Sequence, residues 1–82
     1  MSKERLALKG RLIDKKKDYR EAVRRADSLI ITIRDIIDPY EEDFTDLDLA
    51  RSQVAMNDLC KLKKEARDLK EQIDRMERDL NG

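Results

Sequence analysis

The chain has no histidine and no tryptophan, one cysteine, one proline and two glycines among 82 residues. Each absence narrows what the protein can do. Without histidine, the commonest general base and a leading metal ligand are gone. The acids show no metal-ligand spacing, and no nucleophile–base pair can be assembled, so the sequence predicts a non-enzyme with no cofactor and no metal. The single Cys60 permits no internal disulfide, which points to a reducing cytosol, and a small apolar thiol of this kind is expected to be buried. Long apolar runs are missing as well. The densest, Leu29 to Ile37, is interrupted by Thr32, Arg34 and Asp35 and is far short of the roughly 20 residues that span a bilayer. No secretory signal is expected at the N-terminus. These features predict a soluble, cytoplasmic protein of one domain, residues 1–82, with no membrane association.

What the chain does have is charge, at 46% of residues, balanced between 19 bases and 19 acids. That profile belongs to long, solvent-washed helices rather than to a thick core. The clearest pattern is Leu59, Leu62, Ala66, Leu69, Ile73, Met76 and Leu80, spaced alternately three and four apart, with Ala55 continuing it upstream. Charged residues fill nearly everything between, so this is a coiled-coil seam. A first helix runs ahead of it. Leu12, Tyr19, Ala26 and Ile33 recur every seven residues, with Val23, Ile30 and Ile37 interleaved as the expected second row.

Boundary signals predict a helix over 3–37, opened by Ser2 and closed by Asp38-Pro39, because the residue before proline avoids the α region. Asp38-Pro39-Tyr40-Glu41 has the form of a short helical turn within an acidic connection, 38–45. Thr45 is the expected N-cap of a second helix over 46–80, with Asp48 as its reciprocal acid and Phe44 stapled to Leu49. Two helices of about 35 residues, each roughly 50 Å long, then form an all-α antiparallel two-helix coiled-coil hairpin. Large residues meet small ones best when facing residue numbers sum to about 85, which lays Arg5 beside Leu80.

A two-helix seam leaves its side chains half exposed, and the sequence carries surplus apolar residues beside the turn. Leu29, Ile31, Ile36, Leu47, Leu49, Ala50, Val54, Met56 and Cys60 lie outside the expected seam. A broad apolar face of this kind calls for a partner, most simply a homodimer making a four-helix bundle near the turn. The expected function is a self-associating interaction or assembly module.

Charge is unevenly placed. Residues 35 to 50 hold seven acids and no base. Asp38, Glu41, Glu42 and Asp43 form an acidic tip, to which a second, basic protein could dock. A calcium loop begun at Asp38 would put Tyr40 at its third position and Leu49 at its last, so that reading fails. Mid-stem, Lys17, Arg20, Arg24, Lys64 and Arg67 suggest the alternative of a nucleic-acid-binding hairpin. The hairpin resembles, in architecture alone, the tRNA-contacting arm of seryl-tRNA synthetases, and no motif in the chain carries that resemblance to a family.

Overall fold

The computed structural model describes residues 2–81. Helix α1 spans Lys3–Ile36, a short 3-10 turn spans Phe44–Asp46, and helix α2 spans Leu49–Asn81. The two helices pack against each other along their length as a hairpin, a rod of 64 × 16 × 14 Å. Among the described residues there is no strand.

Local chemistry sets the ends of α1. The Ser2 hydroxyl accepts the Arg5 N–H at 3.2 Å, satisfying one of the donors that a helix start leaves free. Ile37 closes the helix by donating its N–H to the Ile33 carbonyl at 2.8 Å. At the far end of the rod, Arg5 Nη2 donates to the Leu80 carbonyl at 2.7 Å. That bond ties the two open ends of the hairpin and satisfies an acceptor that α2 leaves free in its last turn. Arg5 thus lies beside Leu80, as the sequence predicts.

The connection differs from its expectation. Residues 38–41 form a hydrogen-bonded turn rather than a helical one: Asp38 Oδ1 accepts the Tyr40 N–H at 2.9 Å, and the Asp38 carbonyl accepts the Glu41 N–H at 3.2 Å. The helical turn comes later, over 44–46, and Asp43 caps it. Thr45 does not cap α2. Its N–H and its hydroxyl both donate to Asp43 Oδ1, at 3.0 and 2.6 Å. The cap passes to Asp48, whose Oδ1 accepts the Arg51 N–H at 3.1 Å while its carbonyl accepts the Ser52 N–H at 3.1 Å. Helix α2 therefore starts at Leu49 and not at Asp46. Phe44 and Leu49 are exposed, so the expected staple does not form. The compensation is Leu47: extended at φ −71°, ψ 133°, it is half-buried and lines one crevice with Thr32 and Ile36.

The seam of α2 is the expected one. Ala55, Leu62 and Ile73 are buried, Leu59, Ala66, Leu69, Met76 and Leu80 are half-buried, and Ser52 extends the row toward the turn. In α1 the row of Leu12, Tyr19, Ala26 and Ile33 is also inward. Its companion row is not. The inward residues are Leu8, Lys15, Ala22, Leu29 and Ile36, of which Ala22 is buried, whereas Val23, Ile30 and Ile37 are exposed. Helix α1 is rotated by about 50°, half the angle between successive residues, from its expected setting, so one row stays inward and its companion changes. Leu29, Ile36 and Leu47, expected on an outer face, are therefore taken into the hairpin. The physical reason lies toward the open end. The alternative row carries Lys9 and Lys16, two cations with no apolar residue there, while the chosen row offers Leu8 and only one cation, Lys15. Lys15 is half-buried, so its aliphatic stem can cover seam surface while the ammonium reaches water.

The pairing level shifts with the rotation. Ala22 shares a crevice with Glu65 and Leu69, and Leu29 shares one with Asp58 and Leu62. These neighbours, with the two inward rows, match facing residue numbers that sum to about 88 rather than 85, which is less than a heptad of offset. Leu12 then stands opposite Met76, Ala26 opposite Leu62, and Ile33 opposite Ala55.

Two outcomes follow. Measured by urea unfolding in dilute solution, Leu29→Ala should cost roughly 2 kcal/mol and Ile30→Ala under about 1 kcal/mol. The reverse order would return α1 to its other setting. Gly10 lies within α1, and a methyl added there meets nothing within 4 Å. Gly10→Ala should raise stability by about 0.5–1 kcal/mol, and a loss would mean that this stretch is not regular helix.

Candidate functional site

Lys16 and Glu77 form an ion pair at 2.9 Å across one flank of the hairpin. Both side chains are over two-fifths exposed, so the pair contributes at most about 1 kcal/mol. Its value is as a marker. The same crevice is lined by Tyr19, Arg20, Lys70, Ile73 and Asp74. Residues seven apart stay on nearly the same side of a helix. Counting in sevens from Lys16 up α1 gives Val23, Ile30 and Ile37. Counting in sevens from Glu77 back along α2 gives Lys70, Lys63, Met56 and Leu49.

This flank therefore changes character halfway. Toward the open end it is charged, with Lys9, Lys16, Lys70 and Glu77, while Lys63 stands between the levels of Val23 and Ile30. Toward the turn it is apolar, with Val23 40%, Ile30 37%, Ile37 42%, Leu49 53% and Met56 45% exposed. Cys60 is exposed too, contrary to its expected burial. It lies one helical turn after Met56, beside the inward row and not in it. The opposite flank has no such switch. Asp18, Glu21, Arg25, Asp58, Lys61, Glu65 and Asp68 line its crevices, so it is polar over the middle of the rod.

The other surplus apolar residues lie elsewhere. Ile31, one position round from Ile30, is on the outward side of α1, Val54 is exposed on α2 away from Met56, and Ala50 is exposed near the start of α2. Of the residues expected at an interface, Leu49 and Met56 sit on the apolar flank with Cys60 at its edge. The three residues Val23, Ile30 and Ile37 complete it. Their identity was visible in the sequence, but their side of the helix was not.

The basic residues expected as one belt are divided. Lys17 and Arg24 are seven apart and share the outward side of α1 with Ile31. Lys64 occupies the corresponding outward side of α2, facing the other way. Arg20 and Arg67 border the flank of Lys16 and Lys70. All five are exposed.

At the turn, Asp35, Asp38, Glu41, Asp46 and Asp48 surround one crevice, with Arg51 as its only base. No group of side chains among the described residues could hold a metal ion. At the neighbouring Asp43, the Thr45 hydroxyl, and after it the Thr45 N–H, hold the carboxyl below the ordinary 3.8, because both donate to the charged form. No described helix is long and apolar enough to cross a membrane. Comparison with family models, curated proteins and solved structures finds no match to this chain.

The Asp43 lock has a testable pH signature. A lowered folded-state pKa gives stabilisation that is complete above the ordinary aspartate value and is lost as pH falls through the lowered one. Carbon-detected NMR titration should give Asp43 a midpoint below 3.8, and Thr45→Val should bring it back toward that value. An unchanged midpoint in the variant would remove the Thr45 hydroxyl as the cause.

Proposed function

We propose that this chain is a non-enzymatic interaction and assembly module, a helical hairpin that self-associates through the apolar half of one flank. The observation that supports this most is surface area. The chain exposes 6891 Å² at 9.7 kDa, where a compact monomer of that mass exposes about 5,100 Å². The surplus of roughly 1,800 Å² exceeds the approximately 800 Å² that each partner buries in a standard interface. The rod shape spreads that area over the whole molecule, and part of the exposed apolar surface is clustered. Val23, Ile30, Ile37, Leu49 and Met56 lie together on one flank, while the opposite crevices are polar. A second copy supplies the matching apolar surface without requiring any further component, and paired hairpins are the simplest way to a four-helix core. The cytosol is the compartment we propose, since an exposed lone thiol such as Cys60 persists best where glutathione keeps it reduced.

Sedimentation equilibrium tests the reading. The wild-type chain should reach the mass of two chains at micromolar concentration. Ile30→Glu combined with Met56→Glu should raise the dissociation constant by at least about 100-fold, because each paired copy would bury uncompensated carboxylates. Helicity by circular dichroism should persist, since neither residue faces the seam. A wild-type chain that stays single up to about 100 μM would overturn the proposal.

A further inference from the structure

The placement of charge around the apolar flank says how two copies would meet. This inference rests on the self-association proposed above and goes on to fix its geometry. Two identical flanks can pair about a two-fold axis in only two simple ways. With the axis along the rod, both turns lie at the same end. With the axis across the rod, the turns lie at opposite ends. Either choice lays Val23, Ile30, Ile37 and Met56 of one copy on the apolar patch of the other, and either keeps neighbouring helices antiparallel. Apolar burial and helix dipoles therefore do not separate them. Charge does.

With both turns at one end, the acidic stretch 35–50, seven carboxylates and no base, stands beside its own copy. The charged half of the flank also meets itself, but there Asp74 and Glu77 stand among Lys16, Arg20 and Lys70. Like charges therefore oppose each other chiefly at the turns. Turning one copy end for end removes that conflict. The axis then passes near Ile30, the middle of the apolar row in α1. The turn at Asp38–Asp43 lies eight to thirteen residues beyond Ile30, about 15 Å or slightly more along the rod. The same distance in the other direction on the partner copy is the level of Arg20 and Lys70, where the flank changes from apolar to charged. The open ends of the two rods diverge beyond that point and do not oppose each other.

We infer that the two copies pair flank to flank with their turns at opposite ends. Each acidic turn lies against the basic step of the other copy, overlapping only the turn-side halves. The acidic tip and half of the basic mid-stem, which have no shared role within one hairpin, become complementary surfaces of one interface.

The test places a nitroxide on the exposed turn residue Glu42 through Glu42→Cys in a Cys60→Ala background, at a concentration where sedimentation reports two chains. Double electron–electron resonance should give a turn-to-turn separation of about 30–40 Å, set by twice the distance from Ile30 to the turn. Two-chain mass with a separation under about 20 Å overturns the orientation and leaves the association standing. Single-chain mass overturns both. A second variant reads the sign of the charge contact. Lys63→Glu with Lys70→Glu, both at exposed positions, should raise the dissociation constant about tenfold or more at low salt, with the effect shrinking near 0.5 M salt. Unchanged or tighter association would overturn the inference, and tightening would mean that these lysines face cations of the other copy.

Discussion

Two helices that touch along a single line can bury only two rows of side chains each, and the properties of this molecule follow from which rows those are. Among the described residues no third helix or strand covers what the seam leaves out. Even within the seam only Ala22, Ala55, Leu62, Ile73 and Ser52 fall into the buried class, and most of the remaining inward residues stay half exposed. Turning α1 by about half a residue's angle therefore moves a complete row from one environment to the other. Facing Leu8, Lys15, Ala22, Leu29 and Ile36 inward leaves Val23, Ile30 and Ile37 to water. The same turn puts Lys16 within reach of Glu77 and brings Ile36 to the crevice that Leu47 closes.

That dependence explains which parts of the fold could be read from the sequence. Helix α2 was fully legible over Leu59–Leu80, because charged residues occupy nearly every other position and leave no rival row. Helix α1 was legible in extent but not in azimuth. In its turn-side half, apolar residues stand on both sides of the row Tyr19, Ala26, Ile33, so a three-residue and a four-residue step look equally good there. The open end discriminates between them, through Leu8 against Lys9. The pairing level carries the same ambiguity, since a level of about 85 suits the row that the structure turns outward. The candidate surface was thus legible in composition and only partly in membership. Leu49, Met56 and Cys60 were outside the seam as expected, while Leu29, Ile36 and Leu47 changed places with Val23, Ile30 and Ile37.

The acidic connection shows a different limit. Its capping residues were evident, but they compete. Thr45 and Asp48 are both good N-caps three residues apart, and the choice between them is made by Asp43, which takes both donors of Thr45. In the folded chain, Asp38 receives the Tyr40 N–H, Asp43 the Thr45 N–H and hydroxyl, and Asp48 the Arg51 N–H. With Glu41, whose Oε1 accepts the Asp43 N–H at 3.4 Å, four of the seven acids therefore hold the backbone through its reversal. Part of the negative charge at this end is a consequence of how the chain turns.

The polar flank, lined by Asp18, Glu21, Arg25, Asp58, Glu65 and Asp68, bears on the size of what the proposed association would build. A rod with apolar surface on both sides could add copies without end, each new one presenting a fresh sticky edge. In the pairing proposed above, a copy seated on the apolar flank turns its own polar flank outward, and a third copy finds no apolar row there. The residues that would enforce that stop are ones that never touch the partner.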